Sequence, residues 1–277
     1  MKTVKRQRLL AFVAKHAVLI AAAIFALVPL LWAIKSSFTP TGEVLSTSLF
    51  GTPSAFTTHN YTAGVANGQW ARYFFNSFFV AACVTSVTTI ASATSGYGFA
   101  KFKFRGRNLL FGLVLVSLMM PFQAIMIPLF VEVRQLGWLG TYQGLIIPGA
   151  VSAFGVFMMR QFMAAIPDEL LEAARLDGCS EWGSFRRIVL PLARGPLAAL
   201  GALTFLASWN NFLFPLLIVQ SDDLNTVPLG LAQFQGPYGT DYGQILALSL
   251  LGSVPVILLF TFMRRQIIAS FVTSGLK

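Results

Sequence analysis

Residues 172–191 read EAARLDGCSEWGSFRRIVLP, and with the preceding IPDELL (166–171) they form an acidic stretch in an otherwise oily chain. Of 277 residues, 56% are hydrophobic and only 11% charged. Yet Asp168, Glu169, Glu172, Asp177 and Glu181 supply half of the 10 carboxylates. Apolar runs flank the stretch on both sides, so it reads as a polar loop between membrane spans. Mean hydropathy of +0.70 and 26 Phe point the same way, because that much apolar surface would drive association in water. The solvent implied is lipid.

Working outward from the loop, a bilayer core about 30 Å thick takes roughly 20 apolar residues per helix. Runs of that order lie at 17–34, 74–100, 109–130, 143–164, 197–219 and 243–263. Lipid offers the backbone no hydrogen bonds, so such runs are expected to be helices. The expectation is an all-α polytopic membrane protein, six transmembrane helices in one membrane domain over 1–277, with a cytoplasmic loop at 165–192. Lys and Arg set the orientation, since they accumulate in cytoplasmic segments. With the N-terminus inside, Lys2, Lys5, Arg6, Arg8 and Lys15 are cytoplasmic, as are Lys101, Lys103, Arg105 and Arg107. So are Arg160, Arg175, Arg186, Arg187 and Arg194, and then Arg264, Arg265 and Lys277. Of 20 basic residues, only Lys35, Arg72 and Arg134 fall outside. Both termini and the acidic loop are therefore expected in the cytoplasm. Every span but the second carries proline: Pro29, Pro121 and Pro128, Pro148, Pro215, Pro255. The basic start resembles a signal peptide, but the apolar run after it is longer than a usual h-region and lacks a small-x-small cleavage site. It reads as an uncleaved first span.

Several function classes lose ground. The net charge of +10 sits beside apolar runs, with no aromatic-basic surface suited to nucleic acid. There is no GxxxxGK[ST] phosphate loop, HExxH, CxxC or GxSxG. His16 and His59 are far apart, and Cys83 and Cys179 fall in different environments, so neither a metal nor a disulfide is expected. No Asp, Glu, Lys or Arg sits deep in a span, which disfavours a stand-alone secondary carrier or proton pump. A carrier using an uncharged Na⁺ site stays open.

Within the loop, Pro167 suits a first helical turn and Asp168 and Glu169 complement the helix dipole. Leu170, Leu171, Ala173, Ala174 and Leu176 read as an apolar side; Glu172, Arg175 and Asp177 are polar. Gly178 is placed to end the helix in a left-handed cap. Ser180 can cap a second segment in which Trp182, Phe185 and Val189 recur at helical spacing, before Pro191 interrupts it. Two short helices joined at Cys179 are expected. Such an element can lie on the membrane surface or fit a basic pocket on a protein partner, and the residues alone leave both open.

The segment resembles the EAA-x₃-G-x₉-I-x-L-P motif of permease subunits of ABC importers: Glu172-Ala173-Ala174, Gly178, Ile188, Leu190-Pro191, every spacing intact. NSFFVA (76–81), SGYGFAKFKFRGRNLL (95–110), PFQAIMIPLF (121–130), SWNNFLFPLL (208–217), YGTDYG (238–243) and the FVTSGLK tail are similar to the carbohydrate-importer, maltose-permease branch. The resemblance implies a type I ABC importer permease fold in a bacterial inner membrane. It implies a second homologous permease, two cytoplasmic ATPase subunits holding ATP and Mg, and an extracytoplasmic solute-binding protein as partners, with no cofactor in this chain. It further implies that Glu172, Ala173, Ala174, Asp177, Gly178 and Trp182 couple to the ATPase, Glu172 pairing with a basic residue there. For the solute path the candidates are Asn76, Gln123, Asn210 and Asn211, with Trp209 as a stacking ring; amides also glue membrane helices, and that reading is preferred. The turn around Gln235–Asp241 is a candidate contact for the binding protein. The cargo expected is a sugar, with glycerol phosphate or another polar solute as the alternative.

Overall fold

The structure is a computed structural model that describes residues 2–49, 51–236 and 239–274. Tyr238, in the turn assigned to the binding protein, and Gly275–Lys277 of the tail lie outside these residues. Among the described residues the regular secondary structure is helical apart from one antiparallel ladder, Gln235–Gly236 against Gly239–Thr240. The helices are α1 (Lys2–Ser37), α2 (His59–Ala66), α3 (Trp70–Lys101), α4 (Arg107–Met119), α5 (Phe122–Gln135), α6 (Tyr142–Ile146) and α7 (Ala153–Ala164). They continue with α8 (Asp168–Leu176), α9 (Glu181–Ser184), α10 (Leu190–Leu192), α11 (Arg194–Trp209), α12 (Leu213–Ile218), α13 (Val227–Ala232) and α14 (Tyr242–Ser274).

Four stretches are long and apolar enough to cross a membrane: Phe12–Ser37, Trp70–Lys101, Tyr142–Ala164 and Tyr242–Arg264. The count reaches 6 if each of two bent pairs is one crossing: α4 with α5, bent by 104°, and Glu181–Leu192 with α11, bent by 75°. Within three of the expected runs the helix is interrupted. The run 109–130 breaks at Met120–Pro121, both extended; proline has no N–H and drives the residue before it out of the helical region. The run 143–164 is interrupted at Val151 and Ser152, just past Pro148. The run 197–219 stops at Trp209 and resumes at Leu213. Hydropathy counts apolar residues and is blind to a missing donor.

The chain forms two compact units. In the first, residues 1–68 and 231–253, the loop after α1 is closed by side chains. Lys35 Nζ donates to the carbonyls of Ser48 (2.7 Å), Leu49 (3.2 Å) and Gly51 (3.1 Å). Buried Asn60 donates to Ser37 O and Thr39 O and accepts from the Thr41 hydroxyl. Glu43 accepts from the Ser54 amide and hydroxyl, which hold its carboxyl below the usual range.

In the second unit, residues 69–230 and 254–277, α3 packs against α7 and α11. Lipid tails are as apolar as Leu, so helices here associate through close packing and interhelical hydrogen bonds. Gly96 permits that closeness: a Cβ on it would lie 2.7 Å from Met159 Cβ. Tyr97, Met159, Met163, Phe185 and Val189 form one buried cluster beside the acidic loop. Thr88 Oγ1 donates to Ala150 O at 2.7 Å, satisfying a carbonyl at the break after Pro148.

Candidate functional site: the acidic loop and an uncharged cavity

Pro167 is the N-cap of α8 rather than part of its first turn. Positions three apart share a helix face, and only Leu171 and Ala174 of the expected apolar side turn inward, 2% and 8% exposed. Leu170 (45%) and Leu176 (90%) are exposed, as is Ala173. The expected single apolar side is thus split between an inner anchor and an outer surface.

Gly178 adopts φ +78. Its N–H donates to Arg175 O (3.0 Å) and the Cys179 N–H to Ala174 O (2.8 Å), the paired bonds of a Schellman cap. The Ser180 hydroxyl accepts from Gly183 N–H at 3.1 Å and starts α9. The helix then widens into a π-turn over Phe185–Val189, in which the Leu190 N–H bonds Phe185 O. Pro191 comes next, and its missing N–H accounts for the rewinding of the ladder. Trp182 stands 64% exposed, its ring 5.2 Å from buried Phe185.

The five acids divide into two groups. Asp168 pairs with Lys101 Nζ at 2.6 Å, and the same ammonium donates to Ile166 O. Glu181 pairs with Arg175 at 2.7 Å and accepts from the Tyr97 hydroxyl at 3.4 Å. The Lys101 hydrogen bond and charge hold the Asp168 carboxyl low, and the Arg175 hydrogen bond does so for Glu181. Glu169, Glu172 and Asp177 are exposed, and among the described residues their side chains enter no ion pair or hydrogen bond. Two acids fasten the loop to α3; three are left facing outward beside Leu176.

The residues named for a solute path scatter. Asn76 is fully buried, donates to Asp223 O and Asn225 O (both 2.9 Å) and accepts from the Tyr142 hydroxyl (2.6 Å). It is a tie between segments, with both amide hydrogens used and the side chain shut off from any solute. Trp209 is 3% exposed and stacked on Phe205 at 5.8 Å, so its face is taken. Gln123 and Asn210 are exposed. Asn211 alone of the set lines a cavity of about 500 Å³, where Ser152, Thr204, Ser208 and Thr226 contribute hydroxyls beside apolar Val80 and Phe214. No ionisable side chain lines it. The hydroxyl residues were legible as Thr204, Ser208 and Asn211 at helical spacing in an apolar run, a polar stripe that attention to amides passed over. Such a wall hydrogen-bonds neutral polar groups and provides no charge for an ion.

Among the described residues, no group of three or more His, Cys, Asp or Glu could hold a metal. Cys83 and Cys179 are free thiols.

Comparison with known proteins gives this geometry a family. The chain is 40% identical over 258 residues to the arabinooligosaccharides transport system permease protein AraQ of Halalkalibacterium halodurans, covering 92% of each. It is 36% identical over 220 residues to the sn-glycerol-3-phosphate transport system permease protein UgpE of Yersinia enterocolitica, covering 78% of each. Its fold matches a bacterial ABC transporter involved in the import of the acidic polysaccharide alginate, with a TM-score of 0.80 at 20% identity, covering 91% of this chain and 95% of that one. A profile described as binding-protein-dependent transport system inner membrane component matches residues 86–267. The chain belongs to that family of inner-membrane transport permeases.

Proposed function

We propose that this chain is one permease subunit of an ATP-driven importer that takes up a carbohydrate handed over by an extracytoplasmic binding protein. In this reading 1–277 is one permease domain with six crossings, at about 17–34, 74–100, 109–130, 143–164, 197–219 and 243–263, with the loop 165–192 and both termini in the cytoplasm. A second, similar permease completes the pore. Two cytoplasmic ATPase subunits carry ATP and Mg and do the hydrolysis; this chain is not an enzyme. The observation that carries the reading is the outward face of residues 169–182. Among the described residues the Glu169, Glu172 and Asp177 side chains have no ion pair or hydrogen bond, while Leu176 and Trp182 stand exposed beside them. Bare acids and bare apolar groups on one rigid knob suit a partner that brings cations and a greasy cleft. An anionic membrane surface would favour a basic polar face.

The transport cycle is then a case of two-state coupling. Nucleotide and the loaded binding protein each favour one arrangement of the permease pair, and the knob is where the ATPase exerts its bias. Glu172 contributes a charge-assisted hydrogen bond that fixes register at a partly desolvated interface. Glu172→Lys reverses that charge and is expected to leave the assembly inserted while hydrolysis no longer drives uptake. Transport and ATPase assays on the reconstituted complex test this, and wild-type uptake in the variant would count against the knob.

The uncharged cavity favours a neutral polyhydroxy cargo. The relative named for sn-glycerol-3-phosphate keeps a phosphorylated solute as the second reading. Binding of panels of oligosaccharides and of glycerol phosphate to the cognate binding protein separates the two.

A further inference from the structure

The segment 101–109, KFKFRGRNL, joins α3 to α4 and plays no part in the coupling or cargo reading beyond Lys101. Lys103, Phe104, Gly106, Arg107, Asn108 and Leu109 line a cavity of about 280 Å³. Lys103 and Arg105 are exposed, and among the described residues neither has an ion-pair partner; Asp168, the acid nearby, is committed to Lys101. The Arg107 guanidinium donates to Phe102 O at 3.2 Å and, among the described residues, has no ion-pair partner. Gly106, at φ +84, ends the turn and provides no side-chain cap for α4. The first amides of a helix have no acceptor within it, and Asn108 and Leu109, in the first turn of α4, are among the residues lining the cavity. One turn along α4, the Arg160 guanidinium lies 3.9 Å over the Phe111 ring, its Nε buried without a hydrogen-bond partner. Phe99 links the two places, with ring centroids 6.0 Å from Phe104 and 5.6 Å from Phe111.

Cations and an uncapped helix start make a receptor for an oxyanion. The next turns of α4 specify the molecule that carries it. Leu109, Leu113 and Val116 are 70%, 56% and 57% exposed, directly beyond the cavity. A soluble anion would neutralise the cations and leave that flank bare; a phospholipid brings a phosphate and the acyl chains to cover it. We infer that residues 103–109, with Arg160 as a neighbouring cation, bind the headgroup phosphate of an anionic phospholipid, its chains lying along α4. The inference rests on the proposed reading of α4 as membrane-embedded with its start at the cytoplasmic headgroup level.

Retention of phosphatidylglycerol against phosphatidylcholine by the purified complex, read by native mass spectrometry, tests it. The wild type is expected to keep the anionic lipid about tenfold better, and the combined Lys103→Gln, Arg105→Gln, Arg107→Gln variant to lose that preference, whereas Lys15→Gln keeps it. Arg160→Gln alone is expected to reduce retention with unchanged thermal stability. Equal retention of both lipids, or full retention by the combined variant, overturns the inference. So does displacement by millimolar inorganic phosphate, which would make this a soluble-anion site, or a photo-crosslinker at Phe104 that captures polypeptide instead of lipid. Should the combined variant melt early, Arg105→Gln alone supplies the readout. A membrane-impermeant thiol reagent on Arg105→Cys reports sidedness separately, so an error of orientation shows up apart from an absence of lipid affinity.

Discussion

At Gly178 the sequence carries its most local instruction. The spacing of EAA and glycine anticipated a left-handed stop, and the backbone adopts it with both cap bonds in place. A Cβ there would meet nothing within 4 Å, so the cost of replacement is backbone strain alone. Asn visits the left-handed region more readily than other side chains, whereas a β-branched residue does not. Gly178→Val is expected to destabilise the loop by about 1–2 kcal/mol and Gly178→Asn by less. Hydrogen exchange of residues 172–184 is the measurement, and equal exchange in the two variants would contradict the strain argument. Asn76 shows the opposite case. An amide inside an apolar run looks the same whether it faces a solute or a neighbouring carbonyl, and only the folded positions of Asp223, Asn225 and Tyr142 decide. The division of the acids was hidden likewise, because Lys101 and Tyr97 lie far from them in sequence.

Between elements, the legible part was where helices run and the illegible part was where they break. Composition located every apolar run, yet the breaks at Pro121, after Pro148 and at Asn210–Phe212 depend on which carbonyls find substitute donors. Close approach is testable at the α3–α7 contact. Gly96→Val would press into Met159 Cβ and the Arg160 backbone, while Gly98→Val meets nothing within 4 Å. Overpacking typically costs about 1–3 kcal/mol, so the first variant is expected to lower the melting temperature in detergent and the second to leave it near wild type. The two acid ties of the loop give a pH signature. Asp168 and Glu181 have folded values below their ordinary ones. Their stabilisation is therefore complete above the ordinary carboxylate range near 4 and fades as pH falls through the lowered values. Exchange in residues 166–181, corrected for its intrinsic pH dependence, is expected to be flat from about pH 8 to 6 and to rise below about 4. Lys101→Met is expected to abolish the acid-sensitive part at residues 166–169 and spare that around Glu181.

On the scale of the whole molecule, family and solvent were legible and the cargo was not. The apolar surface is extreme: Phe25 is 84% exposed, Met119 83% and Phe262 77%. Water would not tolerate such a surface, so the chain is expected to stay with membranes through alkaline carbonate washing and to leave them only with detergent. Release into the carbonate supernatant would refute the membrane assignment. Cargo identity was obscure because hydroxyl walls are permissive, and relatives of comparable identity carry names as different as arabinooligosaccharides and sn-glycerol-3-phosphate.

The helix Trp70–Lys101 is the one expected span without a proline, and its 32 residues run unbroken. At about 1.5 Å per residue that is a strut of about 48 Å. Lys101 and Tyr97 bolt the acidic knob to one end of it, and Asn76, near the other, grips the 223–225 segment and Tyr142. With no break along its length to absorb thrust, a push on the knob, under the proposed coupling, would arrive at the far end as travel, not as bending.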